Sequence, residues 1–204
     1  MRLGASCIWA KVIGSMIELR ILALAGLLLL GNASAASDTA EQLLGGGVAI
    51  TLPHDMKLKQ NPTLFKMKDV EQWDYRLRSD EVSMALTGMG FTVPKDKAVN
   101  KIDTADIIVK SSAQYLPQST GEGGDPMPFE NGRVSGHYVS LRAREGQKFA
   151  VGFDAPRRCV TTAVIAVGAY NDMTISYSVT IAADDCDSAA YKAAVAGVVG
   201  MRPV

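Results

Sequence analysis

Residues 159–186 read CVTTAVIAVGAYNDMTISYSVTIAADDC, and this stretch predicts the central element of the fold. Residues 160–169 form a continuous apolar run, Asn171-Asp172 has turn chemistry, and apolar side chains occupy alternate positions from Ile175 to Ile181. Alternation with a period of two is typical of a half-buried strand, and two strand-like runs joined by a short polar turn predict a β-hairpin. The stretch therefore predicts antiparallel sheet in this part of the chain.

Two cysteines bracket this hairpin and predict a disulfide. If the turn centres on residues 171 and 172, Cys159 lies opposite Asp184, two positions from Cys186. A diagonal approach or a bulge would bring the two sulfur atoms together. Closing this loop would stabilise the domain by about 3 kcal/mol. The alternative is two free thiols with a metal or redox role, but neither cysteine lies in a CxxC motif or has a histidine nearby in sequence.

The start of the chain has the pattern of a secretory signal peptide. Residues 21–30 read ILALAGLLLL, and the small residues GNASAA follow them. A run of this length is shorter than the roughly 20 residues that a membrane-spanning helix needs, and Ala33-x-Ala35 fits the cleavage pattern of exported proteins. We predict cleavage after Ala35, with no stable membrane span and a periplasmic or secreted location.

Residues 36–204 would then form a single exported domain, whether translation starts at Met1 or at Met16. Removing the leader takes three basic and one acidic residue from the 21 of each, which leaves 18 basic and 20 acidic side chains. This balance gives no reason to expect nucleic acid or anionic lipid as a partner. Cys7 also leaves with the leader, so the two remaining cysteines form an even pair in an oxidising compartment.

Around the hairpin, the pattern predicts further strands and two helices. Strands are expected at residues 48–52, 91–93, 106–115, 134–143 and 148–154, and residues 69–77 are expected to form a loop or an edge strand. A helix is expected at 79–90, because four apolar side chains fall at i, i+3, i+4 and i+7 and Gly88 and Gly90 end the run. A second helix is expected at 187–201, capped by Asp187 or Ser188.

The predicted fold class is α+β: a mixed or mainly antiparallel sheet of about six strands with two helices packed on one face. Residues 117–133 are rich in glycine and proline, and they are expected to form a long flexible loop.

Two segments resemble a known group of proteins. SDEVSMALTGMGFTV at 79–93 and DTADIIVKSSAQY at 103–115 resemble small uncharacterised α/β envelope lipoprotein-like domains of Gram-negative bacteria. The resemblance covers about forty of the mature residues and implies a place in the cell envelope. No cysteine follows the apolar run where the lipid-accepting residue would stand, so we do not expect a lipid anchor.

Catalytic chemistry has few candidates in this sequence. The chain has two histidines, His54 and His137, and it lacks the GxSxG, HExxH and GxxxxGK[ST] patterns. A single strand histidine such as His137 is more often a surface or half-buried residue than a general base. We therefore expect a non-enzymatic protein, with a small hydrolase that uses His137 as an alternative.

No metal or cofactor is expected either. Asp184, Asp185 and Asp187 could offer oxygen ligands to Ca²⁺, but their spacing matches no established calcium loop. A solvated strand end before a helix N-terminus explains these carboxylates more simply. Residues 121–124 are glycine-rich, and they are interpreted as a connector rather than an anion site, because no helix start follows them.

The candidates for an interaction surface lie in two segments. Aromatic and arginine side chains dominate the energy of protein interfaces, and the first segment concentrates both types within six positions. The candidates are Trp73, Tyr75, Arg76 and Arg78, together with Met127 and Phe129 from the 117–133 loop. In the interpretation that we favour for the first segment, alternation turns Trp73, Tyr75 and Leu77 inward to the core.

The absence of catalytic motifs and the export signal together favour one function. We expect an exported, non-enzymatic protein that binds another envelope protein through its loops or a sheet edge. A periplasmic immunity or inhibitor protein that blocks a toxin or hydrolase is a second hypothesis, since it needs only a stable exported scaffold and a projecting loop.

The leader prediction is tested by the mass of the natural product. We expect the protein purified from its own cells to begin at Ala36, and alkylation of its cysteines to require a reductant. Intact-mass spectrometry with and without reduction measures both properties. A product that retains residues 16–35, or that takes up alkylating reagent without reduction, contradicts export into an oxidising compartment.

Overall fold

The structure is built on a seven-stranded antiparallel sheet around the predicted hairpin. The computed structural model describes residues 39–62, 69–92, 102–170 and 172–204, so the leader predicted at 1–35 lies outside the described residues. In chain order the strands of this large sheet are β3 (Lys59–Asn61), β4 (Val70–Arg78), β5 (Val82–Thr92), β6 (Met127–Asn131), β7 (Val134–Arg142), β8 (Cys159–Tyr170) and β9 (Met173–Ala183). Their order in space is β3-β4-β5-β9-β8-β7-β6, which places the hairpin β8–β9 near the centre.

A second, three-stranded sheet packs against the first. Its strands are β1 (Thr39–Leu44), β2 (Val48–Pro53) and β10 (Arg202–Pro203), in the order β1-β2-β10. Every strand pair of the two sheets is antiparallel. The α+β class and the mainly antiparallel sheet are therefore confirmed, while the described residues form ten strands in two sheets rather than about six in one.

The two helices lie on opposite faces of the large sheet, which corrects the prediction that both pack on one face. They are α1 (Thr104–Ser112) and α2 (Ala189–Val199). Along β8, Ile165 belongs to the same buried cluster as Val198 of α2, whereas Val164 belongs to a second cluster with Ile108 of α1. Neighbouring residues of a strand point to opposite faces, so each helix covers a different face. The continuous apolar run in β8 serves both clusters.

The hairpin and its disulfide are present as predicted, with a shift of one residue in register. Cys159 pairs with Ala183 rather than Asp184, and the β8–β9 ladder has an irregularity between Val167 and Tyr170. The disulfide between Cys159 and Cys186 spans a Cα–Cα distance of 5.4 Å. It ties the start of β8 to the loop that enters α2, where the Ser188 side chain caps the helix by accepting from the Tyr191 N–H.

The helix predicted at 79–90 is wrong, because this segment forms β5. Apolar residues at 82, 84 and 86 also fit a period of two, and both faces of the strand are buried at this end. A strand buried on both faces has an apolar pattern that a helical period matches by chance. Gly88 and Gly90 do not end a helix but leave space for aromatic rings, since a Cβ at Gly88 would collide with Tyr177.

The strand predicted at 106–115 is also wrong, because α1 occupies most of it. The β-branched run at 107–109 suggested a strand, but only one of those three side chains, Ile108, is buried. The Asp103 side chain caps the helix by accepting from the Asp106 N–H, and Lys110 pairs with Asp106 one turn away at 2.6 Å. The cap and the i,i+4 ion pair outweigh the strand preference of the run.

Two further expectations differ from the structure. Residues 117–133 are not one long loop, because they begin within a short 3₁₀ turn (Leu116–Gln118) and end in β6 and its hairpin turn. Residues 148–154 do not form a strand; they make a single bridge between Phe149 and Arg157. Short strands that carry proline, such as β6, give little periodic signal in a sequence.

Removal of the disulfide is expected to lower stability. For Cys159→Ala/Cys186→Ala we expect the free energy of unfolding to fall by about 3 kcal/mol, since the open chain regains loop entropy in the unfolded state. Guanidinium unfolding of both proteins, with and without reductant, measures the difference. The reduced wild type should approach the double variant, whose own midpoint should not respond to reductant. Equal midpoints for all four samples would contradict a stabilising disulfide.

Candidate functional site at the rim of β6

The edge strand β6 carries the two apolar residues that the sequence singled out in this region. A two-residue turn containing Gly132, whose φ of 62° suits glycine, joins β6 to β7. The Phe129 ring covers Gly136 and packs on Tyr138 with ring centroids 6.3 Å apart. Met127 is paired with Tyr138 and has 53% of its surface exposed. We call Met127–Asn131, with the cavities on its two sides, the β6 rim.

The cavity next to Met127 is apolar and has a volume of about 440 Å³. Its walls come from β6, β7, α2 and Gly123 of the turn before β6, and they include Tyr138, Tyr191 and Val195. The Tyr191 hydroxyl is hydrogen-bonded to Thr161 Oγ1 at 2.6 Å. Burial raises the pKa of Tyr191 above its ordinary value, and the hydrogen bond only partly offsets this rise. The phenol is therefore neutral at physiological pH, and the cavity suits an apolar side chain.

A larger cavity of about 740 Å³ lies on the other face of β6 and β7. Its polar lining includes Glu130, Ser135 and His137. Along each strand these residues alternate with those of the apolar cavity, so their side chains point to the opposite face of the sheet. The first turn of α1 contributes Thr104 to its wall. The β6 rim therefore offers an apolar cavity on one face and a cavity of mixed polar and apolar lining on the other.

The one contact at this site with catalytic character joins His137 to α1. Thr104 Oγ1 lies 2.8 Å from His137 Nδ1, and both residues line the larger cavity. A hydroxyl beside an imidazole is part of a nucleophile–base arrangement, but that arrangement also needs a group that orients the imidazole. Within the described ranges, His137 has no hydrogen bond to a carboxylate. The contact fixes the start of α1 against β7, and the hydrolase hypothesis stays untested.

The other predicted interaction residues lie in β4 and contact their own chain. Tyr75 is buried, and its hydroxyl accepts the Gly45 N–H at 2.9 Å; Trp73 is half-buried and packs against the core. Arg76 lies over the Phe153 ring at 5.7 Å, and Arg78 donates to the Phe153 carbonyl. This placement agrees with the inward interpretation of the segment.

The acidic patch beside Cys186 forms ion pairs. Asp184 pairs with Lys148 and Arg157, each at 3.1 Å. Burial alone would raise the pKa of the Asp184 carboxyl, but the bonds from these two cations lower it below its usual value. Asp187 pairs with Arg142 at 2.9 Å. Among the described residues, no group of three or more histidine, cysteine or acidic side chains could hold a metal ion.

The free edge of β6 is poorly suited to pairing with another strand. Asn131 and Val134 flank the two-residue turn, so they form a hydrogen-bonded pair, and such pairs alternate along the ladder. Pro128, opposite His137, is then in a non-hydrogen-bonded pair, and its nitrogen points away from β7. Proline has no N–H to offer there. A partner at the β6 rim would therefore have to bind through side chains and cavities rather than through backbone pairing.

Comparison with known proteins gave no match to a family model and none to a curated protein. The resemblance to envelope lipoprotein-like domains therefore stays a prediction. No helix in the described part of the chain is long and apolar enough to cross a membrane. Sequence reasoning missed Thr104 and Tyr191 as site residues. Only the fold brings them to β6 and β7. Thr104 was missed because the residues of α1 were predicted to form a strand.

The Thr104–His137 contact is expected to be structural. We expect Thr104→Val to lower the free energy of unfolding by about 1 kcal/mol, because it removes one hydrogen bond and keeps the shape of the side chain. Ser135→Ala, in the same cavity, is the control and should change stability by less than about 0.5 kcal/mol. Denaturant unfolding and hydrolysis of a panel of acyl esters are the measurements. Ester turnover that disappears in Thr104→Val would favour the hydrolase hypothesis instead.

Proposed function

We propose that this chain is an exported, non-catalytic protein that binds another protein of the cell envelope through the β6 rim. The observation that carries the proposal is Met127, a large apolar side chain held exposed on a strand beside an apolar cavity. Exposed apolar residues next to a pocket are typical of protein interaction sites. The leader pattern and the disulfide support export into an oxidising compartment.

The β6 rim is rigid before any partner arrives, which favours binding. Asn131, the last residue of β6, donates from Nδ2 to the carbonyls of Val199 at 2.7 Å and Met201 at 3.2 Å. These bonds fix the end of β6 to the end of α2, whose Val195 lines the apolar cavity. A surface already held in its binding conformation loses little entropy on association.

The two cavities support different contributions to binding. An apolar partner side chain that fills the cavity beside Met127 would contribute about 1.5–3 kcal/mol, the usual value for burying one such side chain. The larger cavity contains a carboxylate and hydroxyls from Glu130, Ser135 and Thr104, which select partners by hydrogen bonding. Met127 itself is flexible and adapts to the shape of a partner.

An inhibitor or immunity protein is the second candidate function. The observation in its favour is the exposed turn at 121–125, where Gly121 and Gly123 have φ values of 87° and 74° and the chain leads directly into β6. Such a turn could enter the cleft of an exported enzyme. Replacing the exposed Glu122 and Asp125 leaves β6 and Gly123, which lines the apolar cavity, intact, whereas deleting 121–129 would remove Phe129 from its packing on Tyr138.

The proposed function is tested by site-specific crosslinking. With a photoreactive residue at exposed position 130, we expect one discrete protein adduct in intact cells. Met127→Asp in the same chain should reduce the adduct about tenfold or more, because a charge at the apolar contact costs at least about 1.4 kcal/mol of binding. Val109→Asp is the matched control: its side chain is 50% exposed on α1, outside the β6 rim, and the adduct should persist.

Three results separate the alternatives. An adduct of equal yield in Met127→Asp and Val109→Asp would contradict recognition through the β6 rim. An adduct with an exported hydrolase, lost on replacement of Glu122 and Asp125 but kept in Met127→Asp, would identify the inhibitor function. No adduct from position 130 under any condition would contradict both proposals.

A further inference from the structure

The apolar cavity beside Met127 contains hydroxyl groups that the proposed function does not use. Ser140 of β7 and Tyr191 of α2 both line this cavity. Ser140 Oγ is hydrogen-bonded to Thr161 Oγ1 at 2.7 Å, and Thr161 Oγ1 is hydrogen-bonded to the Tyr191 hydroxyl at 2.6 Å. Ser140 is half-buried, whereas Thr161 and Tyr191 are only 1% and 6% exposed. We call these three side chains the hydroxyl chain, and the residues at its two ends line the cavity.

The hydroxyl chain keeps unused hydrogen-bonding capacity. Each hydroxyl has one donor and two acceptor lone pairs, and the two internal bonds use two of the three donors. Within the described residues, no backbone group is bonded to these hydroxyls. A third bond between Ser140 and Tyr191 would still leave a lone pair free on every oxygen. Because hydroxyl hydrogens rotate, the chain can offer the cavity a donor or an acceptor, and a ligand hydroxyl satisfies either arrangement.

The other walls of the cavity suit an aromatic ring. They include the side chains of Met127, Tyr138 and Val195, and the volume of about 440 Å³ is typical of a ligand pocket. Aromatic rings pack favourably against other rings and against methionine sulfur. Lys192 also lines the cavity, and it pairs with exposed Asp187 at 3.4 Å. A cation at this position disfavours a lysine or arginine side chain as the occupant.

Gly123 places the turn before β6 directly against the hydroxyl chain. Its φ of 74° favours glycine, and a Cβ at this position would collide with the Ser140 carbonyl oxygen. Gly123 also lines the cavity. The cavity is therefore bounded next to Ser140 by backbone, with no side chain from this position to fill it.

We infer that this cavity binds a tyrosine side chain of the partner, with the ring against the apolar walls and the phenol hydroxyl bonded to the hydroxyl chain. This inference rests on the proposed function, because it names the side chain that the partner would place in the β6 rim. Phenylalanine would fill the same walls but would leave the hydroxyls of Ser140 and Tyr191 without a ligand partner. A site that hydrogen-bonds a hydroxyl discriminates against the analogue that lacks it.

Binding of two small side-chain analogues tests the inference. p-Cresol corresponds to the side chain of tyrosine, and toluene corresponds to that of phenylalanine. In NMR titrations of the purified disulfide-bonded protein, we expect p-cresol to bind in the millimolar range and to shift the amide resonances of Tyr138, Ser140 and Val195. The ratio of the toluene to the p-cresol dissociation constant should fall about fivefold in Ser140→Ala, because a hydrogen bond to the phenol is lost.

Two further variants make the result specific. Ser135→Ala is the matched control, because it removes a hydroxyl from the same strand on the side of the larger cavity, and its ratio should equal that of wild type. Tyr191→Phe keeps the ring and should lower the ratio as Ser140→Ala does, so the test holds if one of the two fails to fold. An unchanged ratio in every folded variant of the hydroxyl chain, a fall in Ser135→Ala instead, or no binding of p-cresol at these resonances overturns the inference.

The tyrosine inference and the proposed function fail in different ways. If the adduct from position 130 depends on Met127 but the ratio is unchanged in Ser140→Ala, the proposed function stands and the tyrosine inference fails. If the ratios behave as expected but no adduct forms, the proposed function fails. The occupant of the cavity is then a free phenol rather than a tyrosine of a protein partner.

Discussion

The packing of the small sheet on the large one depends on the absence of side chains at the turn between β1 and β2. Gly45, Gly46 and Gly47 lie against Trp73, Ile175 and Tyr170, and a Cβ at any of them would collide with these side chains. Tyr177, fully buried in β9, donates its hydroxyl to the Gly45 carbonyl. Burial raises the pKa of this phenol far above its ordinary value, so it stays a neutral donor. The same contacts that dock the turn also fix the direction of β1, whose other edge pairs with none of the described strands.

Contacts link that turn directly to the β6–β7 turn. Arg133, in the β6–β7 turn, donates to the Gly47 carbonyl at 3.2 Å and lies over the Tyr170 ring at 5.2 Å. Asn131 is bonded to the carbonyls at the end of α2. The edge strand β6, which has few ladder bonds of its own, is therefore held by bonds to the β1–β2 turn and to the end of α2. This arrangement explains how a strand of five residues with a proline among them keeps its backbone in place, while the Met127 side chain remains free to adapt.

The elements that sequence reasoning predicted correctly are those with a single explanation for their pattern. In β9, apolar and hydroxyl side chains alternate cleanly. Cys159 and Cys186 are the two cysteines that remain when Cys7 is assigned to the predicted leader. One wrong prediction concerns β5, whose apolar residues fit both a helical and a strand period. Another concerns α1, where the Asp103 cap favours a helix over the predicted strand. The faces covered by the helices could not be predicted, because β8 is apolar on both sides and accepts a helix on either. The site could be predicted only in part: Met127 stands out in sequence, whereas its cavity needs Tyr191 from a distant helix.

The β6 rim and the outer edge of β1 would bind other chains through different interactions. At the β6 rim, proline removes a backbone donor, so a partner gains affinity there only by filling cavities, and such binding is selective for side-chain shape. At β1, which contains no proline, a partner strand would meet backbone groups, and backbone pairing discriminates little between sequences. The proline in β6 and its absence from β1 thus give the two edge strands different means of contacting another chain.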